Sequence, residues 1–211
     1  MEKYLAKKNV RGKIRVSILC VIAVFVFAIL MSIIGTVTTN IRFQNFYSES
    51  YACSVKQMEI RKDMQYMGKN LMWAITHSDP VEIEERTAMA AESLATLKIN
   101  IEQLKQVYHN PEKLGEFERL WGEFMATHDK LLGYMAENNK TASILLYVGE
   151  YEVYVADIQN LLMEIGKEAE TNATVAYNSS RNSGTGSILL LIVLLEYLLA
   201  QVCILTNCLP K

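Results

Sequence analysis

Two stretches almost free of charge constrain this chain more than any other feature. Val16 to Ile34 contains no charged residue, and Ile188 to Leu205 contains only Glu196. A hydrocarbon core about 30 Å thick is crossed by roughly 20 helical residues, so each stretch is long enough to span a bilayer. With no water in that core, backbone N–H and C=O groups must pair within the segment, which a lone run achieves only as an α-helix. The sequence therefore predicts transmembrane helices over 16–38 and 187–205, with lipid as the first partner. A cleavable secretory signal has an apolar core of roughly 7–15 residues followed by a small-x-small site. The first run is longer and leads into Ser32-Ile33-Ile34-Gly35-Thr36-Val37 without such a site, so it reads as an uncleaved anchor.

Charge sets the orientation. The first 15 residues carry six Lys/Arg against one Glu, and basic flanks stay on the cytoplasmic face. The expected order is a cytoplasmic tail (1–15), the first span, an extracytoplasmic domain (39–183), the second span and a cytoplasmic stub (206–211), in the cell membrane. The domain holds 14 Lys/Arg and 21 Asp/Glu, a net charge of −7. Nucleic acid requires a basic footprint and is excluded as a partner. Cys20, Cys203 and Cys208 lie in or beside the spans, and Cys53 is alone in the domain. It is either a free thiol or an intersubunit crosslink.

Three breaks divide the domain into four helices. Ser78-Asp79-Pro80 and His109-Asn110-Pro111 place a capping residue before proline, which suits the first helical position and no interior one. Glu137-Asn138-Asn139-Lys140-Thr141 is a polar turn. The expected helices are 40–77, 81–108, 112–137 and 141–182. Apolar residues recur at alternating steps of three and four: Ala90, Leu94, Leu97, Ile101, Leu104 and Tyr108 in the second helix; Leu114, Phe117, Trp121, Phe124, His128, Leu131 and Met135 in the third. The fourth carries Ile144, Val148, Tyr151, Val155, Ile158, Leu162, Ile165 and Ala169, and the first, less regularly, Ile60, Met64, Met67, Leu71 and Ile75. This is the seam of helices packed side by side at a shallow angle. Short turns make neighbours antiparallel. The fold class is all-α: a membrane-anchored antiparallel up-down-up-down four-helix bundle flanked by two transmembrane helices. At about 1.5 Å per residue the first and fourth helices outrun the middle pair. Their unpaired apolar seams near the membrane call for the same helices of a second subunit, a homodimer.

Catalytic signatures are missing. There is no G-x-x-x-x-G-K-[ST], H-E-x-x-H, C-x-x-C or G-x-S-x-G. A di-iron bundle needs Glu-x-x-His pairs, but Ala74, Gln106 and Met125 precede His77, His109 and His128 by three. No enzyme, metal site or cofactor is expected. Glu82, Glu84 and Glu85 open a helix, where they oppose its positive dipole end. The candidate ligand-binding residues are the cations Arg61, Lys62 and Lys69 on the first helix and the tyrosines Tyr147, Tyr151 and Tyr154 on the fourth. Cations beside aromatics suit a small carboxylate, against the alternative of a solvated face beside core tyrosines. His128, on the seam, is either a core residue with one hydrogen bond or a ligand contact or pH sensor. Asn172 shares the seam phase, where a buried Asn fixes register. Glu196, mid-span, carries an insertion cost of several kcal/mol, as the value of about 2.5–3.5 kcal/mol for a central Asp indicates, unless protonated or facing a partner helix.

A basic N-terminus, an anchor, a four-helix bundle and a second span, with Phe46-Tyr47-Ser48-Glu49-Ser50-Tyr51 followed by Arg61 to Asp79 (RKDMQYMGKNLMWAITHSD) in the first sensor helix, resemble the N-terminal half of bacterial methyl-accepting chemotaxis receptors. Similar bundles front histidine kinases and diguanylate cyclases. The resemblance implies a homodimer that docks a small molecule, or a binding protein loaded with one. A shift of the fourth helix and second span would then pass to a HAMP module and a cytoplasmic hairpin. Only Thr206 to Lys211 follows the second run, so the resemblance implies a sensing half truncated before HAMP, unable to signal alone and able to combine with intact receptors. The competing expectation is a membrane-tethered helical interaction protein.

Overall fold

Asn138 is the one residue other than glycine with a positive φ (55°) among those described, and it marks one of three turns that set the fold. The computed structural model describes residues 10–207. The residues before Val10, most of the basic tail among them, lie outside the described residues, as do Cys208 and the rest of the stub's end and the side chain of Cys203. The chain is helical as α1 (Val10–Asn45), a π turn π1 (Phe46–Tyr51), α2 (Ala52–Thr76), α3 (Pro80–Val107), α4 (Pro111–Ala136), α5 (Lys140–Leu146), a second π turn π2 (Tyr147–Tyr151) and α6 (Glu152–Asn207). No strand occurs among the described residues.

Each turn is built by the residues that announce it. The Asp79 side chain accepts from the Val81 N–H at 3.0 Å, with Pro80 opening α3. Asn110 accepts from the N–H groups of Glu112 and Lys113 at 3.2 and 3.4 Å, with Pro111 opening α4. Asn139 accepts from Ala142 N–H at 3.1 Å. These side chains satisfy amides that a helix start leaves unpaired. Replacing Asn110 with alanine is expected to cost about 1 kcal/mol, read as a lower thermal midpoint of the detergent-solubilised chain.

The chain divides into two compact units, and each has its own logic. Asn45–Thr174 is the four-helix bundle. Cross-helix pairs run antiparallel: Asn100 and Asp63, then Arg86 and Asn70, between α2 and α3; Lys105 and Glu118 between α3 and α4; Lys113 and Glu168, then His128 and Tyr151, between α4 and the last helix. The seams of α2, α3 and α4 are buried as their periodicity requires, with Ile60, Met64, Met67, Leu71 and Ile75 facing Leu97, Ile101, Leu104, Phe117, Phe124 and Leu131 in one core.

Two expectations are corrected here, for Val148 and Asn172, and the open alternative for Cys53 is narrowed to the free thiol. Val148 is 52% exposed, and Leu146 and Tyr147 are buried instead, because π2 admits an extra residue between Tyr147 and Tyr151 and displaces the seam. Asn172 is exposed and fixes no register within the protomer. Cys53 is only 2% exposed, and burial, with the Glu168 charge adding to it, pushes its thiol up to about 11. A buried, protonated thiol is a poor crosslinking group. Beside it Tyr108 donates a 2.8 Å hydrogen bond to Glu168, which also meets Lys113.

The second unit comprises the described residues up to 44 and those from 175 on. It contains the apolar windows of two helices that are long and apolar enough to cross a membrane. Small residues let them approach: a Cβ on Gly35 would lie 3.5 Å from Ser187 Oγ. Arg42 donates a 2.9 Å hydrogen bond to Ser183 Oγ. Phe25, Leu30, Leu189 and Leu195 point outward, as lipid-facing residues do. Glu196 is exposed on α6.

Candidate functional site

The chemistry of the bundle concentrates where α4 meets π2. Phe124 and His128 are one helical turn apart on α4, so both face the same neighbour. That neighbour is Tyr151, whose ring centroid lies 5.0 Å from Phe124 and 6.1 Å from His128. Tyr147 stacks on Tyr151 at 4.9 Å with an interplanar angle of 19°. The four rings form a buried cluster in the core. Tyr147 fastens it to α2 by donating a 2.9 Å hydrogen bond to the Gly68 carbonyl. Gly68 suits this approach, since a Cβ there would lie 3.0 Å from the Tyr147 hydroxyl, closer than ordinary contact. A glycine inside a helix costs about 1 kcal/mol relative to alanine, so its presence at a buried position signals such a contact.

Electrostatics in the cluster follow burial. Desolvation lowers the pKa of His128 below its ordinary 6.5; Asp129 opposes the shift and Lys98 reinforces it. Burial, then the Glu152 charge, pushes Tyr147 up to about 12. Tyr151 is raised further, by burial first and then by Tyr147. At neutral pH the cluster thus holds a neutral imidazole and two phenols. Tyr151 Oη and His128 Nδ1 are both buried with no hydrogen-bond partner among the described residues. Leaving one such group unpaired costs about 1–3 kcal/mol, and costs of this kind, like π turns, gather at positions used for something besides packing.

The sequence-derived candidates divide between this cluster and the bundle surface. His128, Tyr147 and Tyr151 come together. Tyr154 is half-buried and packs on the edge of the core. Arg61 is half-buried, with its Nε enclosed and without a hydrogen-bond partner among the described residues. Lys62 is exposed and meets Asp63 at 3.4 Å, and Lys69 is exposed. Gly68 and Phe124 belong to the cluster although neither was a site candidate. Gln57 and Gly166 form a second tight contact between α2 and α6, where a Cβ on Gly166 would lie 2.8 Å from Gln57 Nε2.

Residues 7–183 match the family described as a four helix bundle sensory module for signal transduction. The chain belongs to that family. The matched span takes in α1 and the whole bundle, so the sensory module is defined by the first apolar helix together with the four-helix core. No match is found among curated proteins or among solved structures.

Proposed function

We propose that this sensory module is the extracytoplasmic input of a transmembrane chemotaxis receptor that responds to a small molecule, bound directly or carried by a binding protein. The observation that carries the reading is the family match over residues 7–183, which joins the first apolar helix to the bundle. The basic N-terminal tail supports a cytoplasmic N-terminus by the positive-inside rule, with the bundle facing outward across the cell membrane. The module works as a homodimer and passes conformational change through α6, not through catalysis. Arg61, Lys62 and Lys69 give α2 a basic character that favours carboxylate ligands.

A ligand that binds only the folded state raises stability by mass action, about 2.7 kcal/mol at 100 times its Kd. The test is a thermal-shift screen of the full chain in nanodiscs against amino acids and organic acids. At least one acidic compound is expected to raise the midpoint, with the gain lost in an Arg61→Ala/Lys69→Ala double variant. A flat response across the screen, with a co-purifying membrane protein retained, would favour a tethered interaction protein instead.

A further inference from the structure

The residues around π2 carry two apolar seams, one position out of phase; the structure buries Leu146 and Tyr147 of one and leaves Val148 of the other exposed, with Ile144 half-buried at the edge of the core. In the observed register Ser143, Tyr147 and Tyr151 point inward together with Leu146. The steps from 143 to 147 to 151 are four and four, eight residues where two α-turns hold about 7.2. The π turn takes up the excess. The other seam runs Ile144, Val148, Tyr151, Val155, Ile158, with steps of four, three, four and three, which an uninterrupted α-helix matches without a bulge. In the observed register the outward residues include Val148 and Leu145, which is 70% exposed. The inward set, by contrast, contains the hydroxyl of Ser143, which must bond back to the Asn139 carbonyl at 3.0 Å.

We propose that residues 140–148 exchange between these two registers by closing and reopening the π turn at Tyr147–Tyr151. Closing it removes one residue from the turn. Relative to α6, the segment then rotates by about 100° and slides by about 1.5 Å. Val148 turns inward and Ile144, half-buried at the edge of the core, turns in fully; Leu146 turns out, and Tyr147 swings into the place Leu146 held. The bond from Tyr147 to the Gly68 carbonyl breaks. Residues from Tyr151 onward keep their place in the core, so the exchange does not require α6 to leave it. The adjoining Asn138–Asn139 turn takes up the rotation, and Lys140 releases the Thr76 carbonyl that it holds at 2.6 Å. The end of the bundle that carries the 77–79 and 137–139 turns thus has two surfaces to offer, and anything that prefers one selects a register. The register observed is favoured by Gly68, since a Cβ there would lie 3.0 Å from the Tyr147 hydroxyl and crowd it.

The exchange is read by fluorine NMR on the full chain in nanodiscs, labelled with 3-fluorotyrosine, the Tyr147 signal being assigned with a Tyr147→Phe variant. Two Tyr147 signals are expected, the minor one at roughly 1–10% as for a state a few kcal/mol above the ground state. Deleting Gly149 removes the surplus residue and keeps Leu146 and Tyr147 in phase with α6 as plain α-helix, so the minor signal disappears. Val148→Asp, at a position exposed in the observed register, also abolishes it by forbidding burial. Gly68→Ala crowds the Tyr147 hydroxyl and raises the minor signal several-fold. A single Tyr147 signal in both the native chain and Gly68→Ala overturns the proposal. So does a minor signal that survives Val148→Asp unchanged, a test that holds even if the deletion or Gly68→Ala fails to fold.

Discussion

Replacing Phe124 with alanine is expected to destabilise the bundle by about 3–5 kcal/mol, the range for truncating a fully buried aromatic residue. The ring has no exposed surface. It touches Tyr151 at a centroid distance of 5.0 Å, Trp121 at 5.3 Å and His128 at 6.1 Å. Its removal therefore loses transfer energy, opens a cavity that helices anchored at both ends close poorly, and forfeits aromatic pairings worth about 0.5–1.5 kcal/mol each. For a chain of this size the thermal midpoint falls by roughly 2–4 °C per kcal/mol, so a loss on the order of 10 °C is the expected reading. Near-UV circular dichroism of the chain in detergent follows the aromatic cluster directly. Trp121, one turn away and only half-buried, supplies the comparison: Trp121→Ala should cost distinctly less although it removes a larger ring. Equal losses for the two would mean that burial at Phe124 is not what holds the bundle, and an unchanged midpoint for Phe124→Ala would contradict the core described here.

The difference between these two neighbours also shows what a sequence can and cannot convey. Phe117, Phe124 and Leu131 recur at sevens, and one period accounts for all three, so the inward face of α4 is legible before any coordinates. Asp79-Pro80 and Asn110-Pro111 are legible for a local reason: a side-chain acceptor followed by a residue without an N–H satisfies a helix start whatever surrounds it. The segment around Tyr147 is different. Ile144-Val148-Tyr151 is the more regular pattern, yet the structure places Leu146 and Tyr147 inward. Periodicity ranks the two seams by regularity, whereas packing ranks them by the volume filled and by the bond from Tyr147 to Gly68, a contact between residues 79 positions apart. The site divides in the same way. Seam phase alone brings His128 and Tyr151 together across α4 and π2. The height of Arg61, Lys62 and Lys69 along α2 says nothing of which way each charge faces, and Lys62 and Lys69 face solvent.

Acid is expected to weaken the bundle through His128. Burial lowers the folded-state pKa of this imidazole below its unfolded value of 6.5, so over the interval between the two values the unfolded chain binds the proton and the folded chain does not. Stability rises with pH wherever the unfolded state binds more protons. The contribution of His128 is therefore complete above the unfolded pKa and is lost as pH falls toward the folded one. The surrounding groups do not reverse this sign. Asp129 favours the imidazolium, but less strongly than burial opposes it, and Lys98 acts with burial. Tyr147 and Tyr151, whose pKa values burial raises, stay protonated throughout and add no slope. Carboxylates elsewhere also titrate on the acid side, so the measurement is a difference: thermal midpoints of the native chain and of His128→Gln at pH 7.5 and pH 5. The native chain should lose more on acidification than the variant, which carries an amide that does not ionise. A gap between the two proteins that is the same at both pH values would mean that His128 titrates in the folded bundle as it does in water, and that the ring between Phe124 and Tyr151 is not enclosed. A gap that narrows or reverses in acid ties proton uptake to the same four-ring cluster that fastens π2 to α2, making the core of this sensory module responsive to pH.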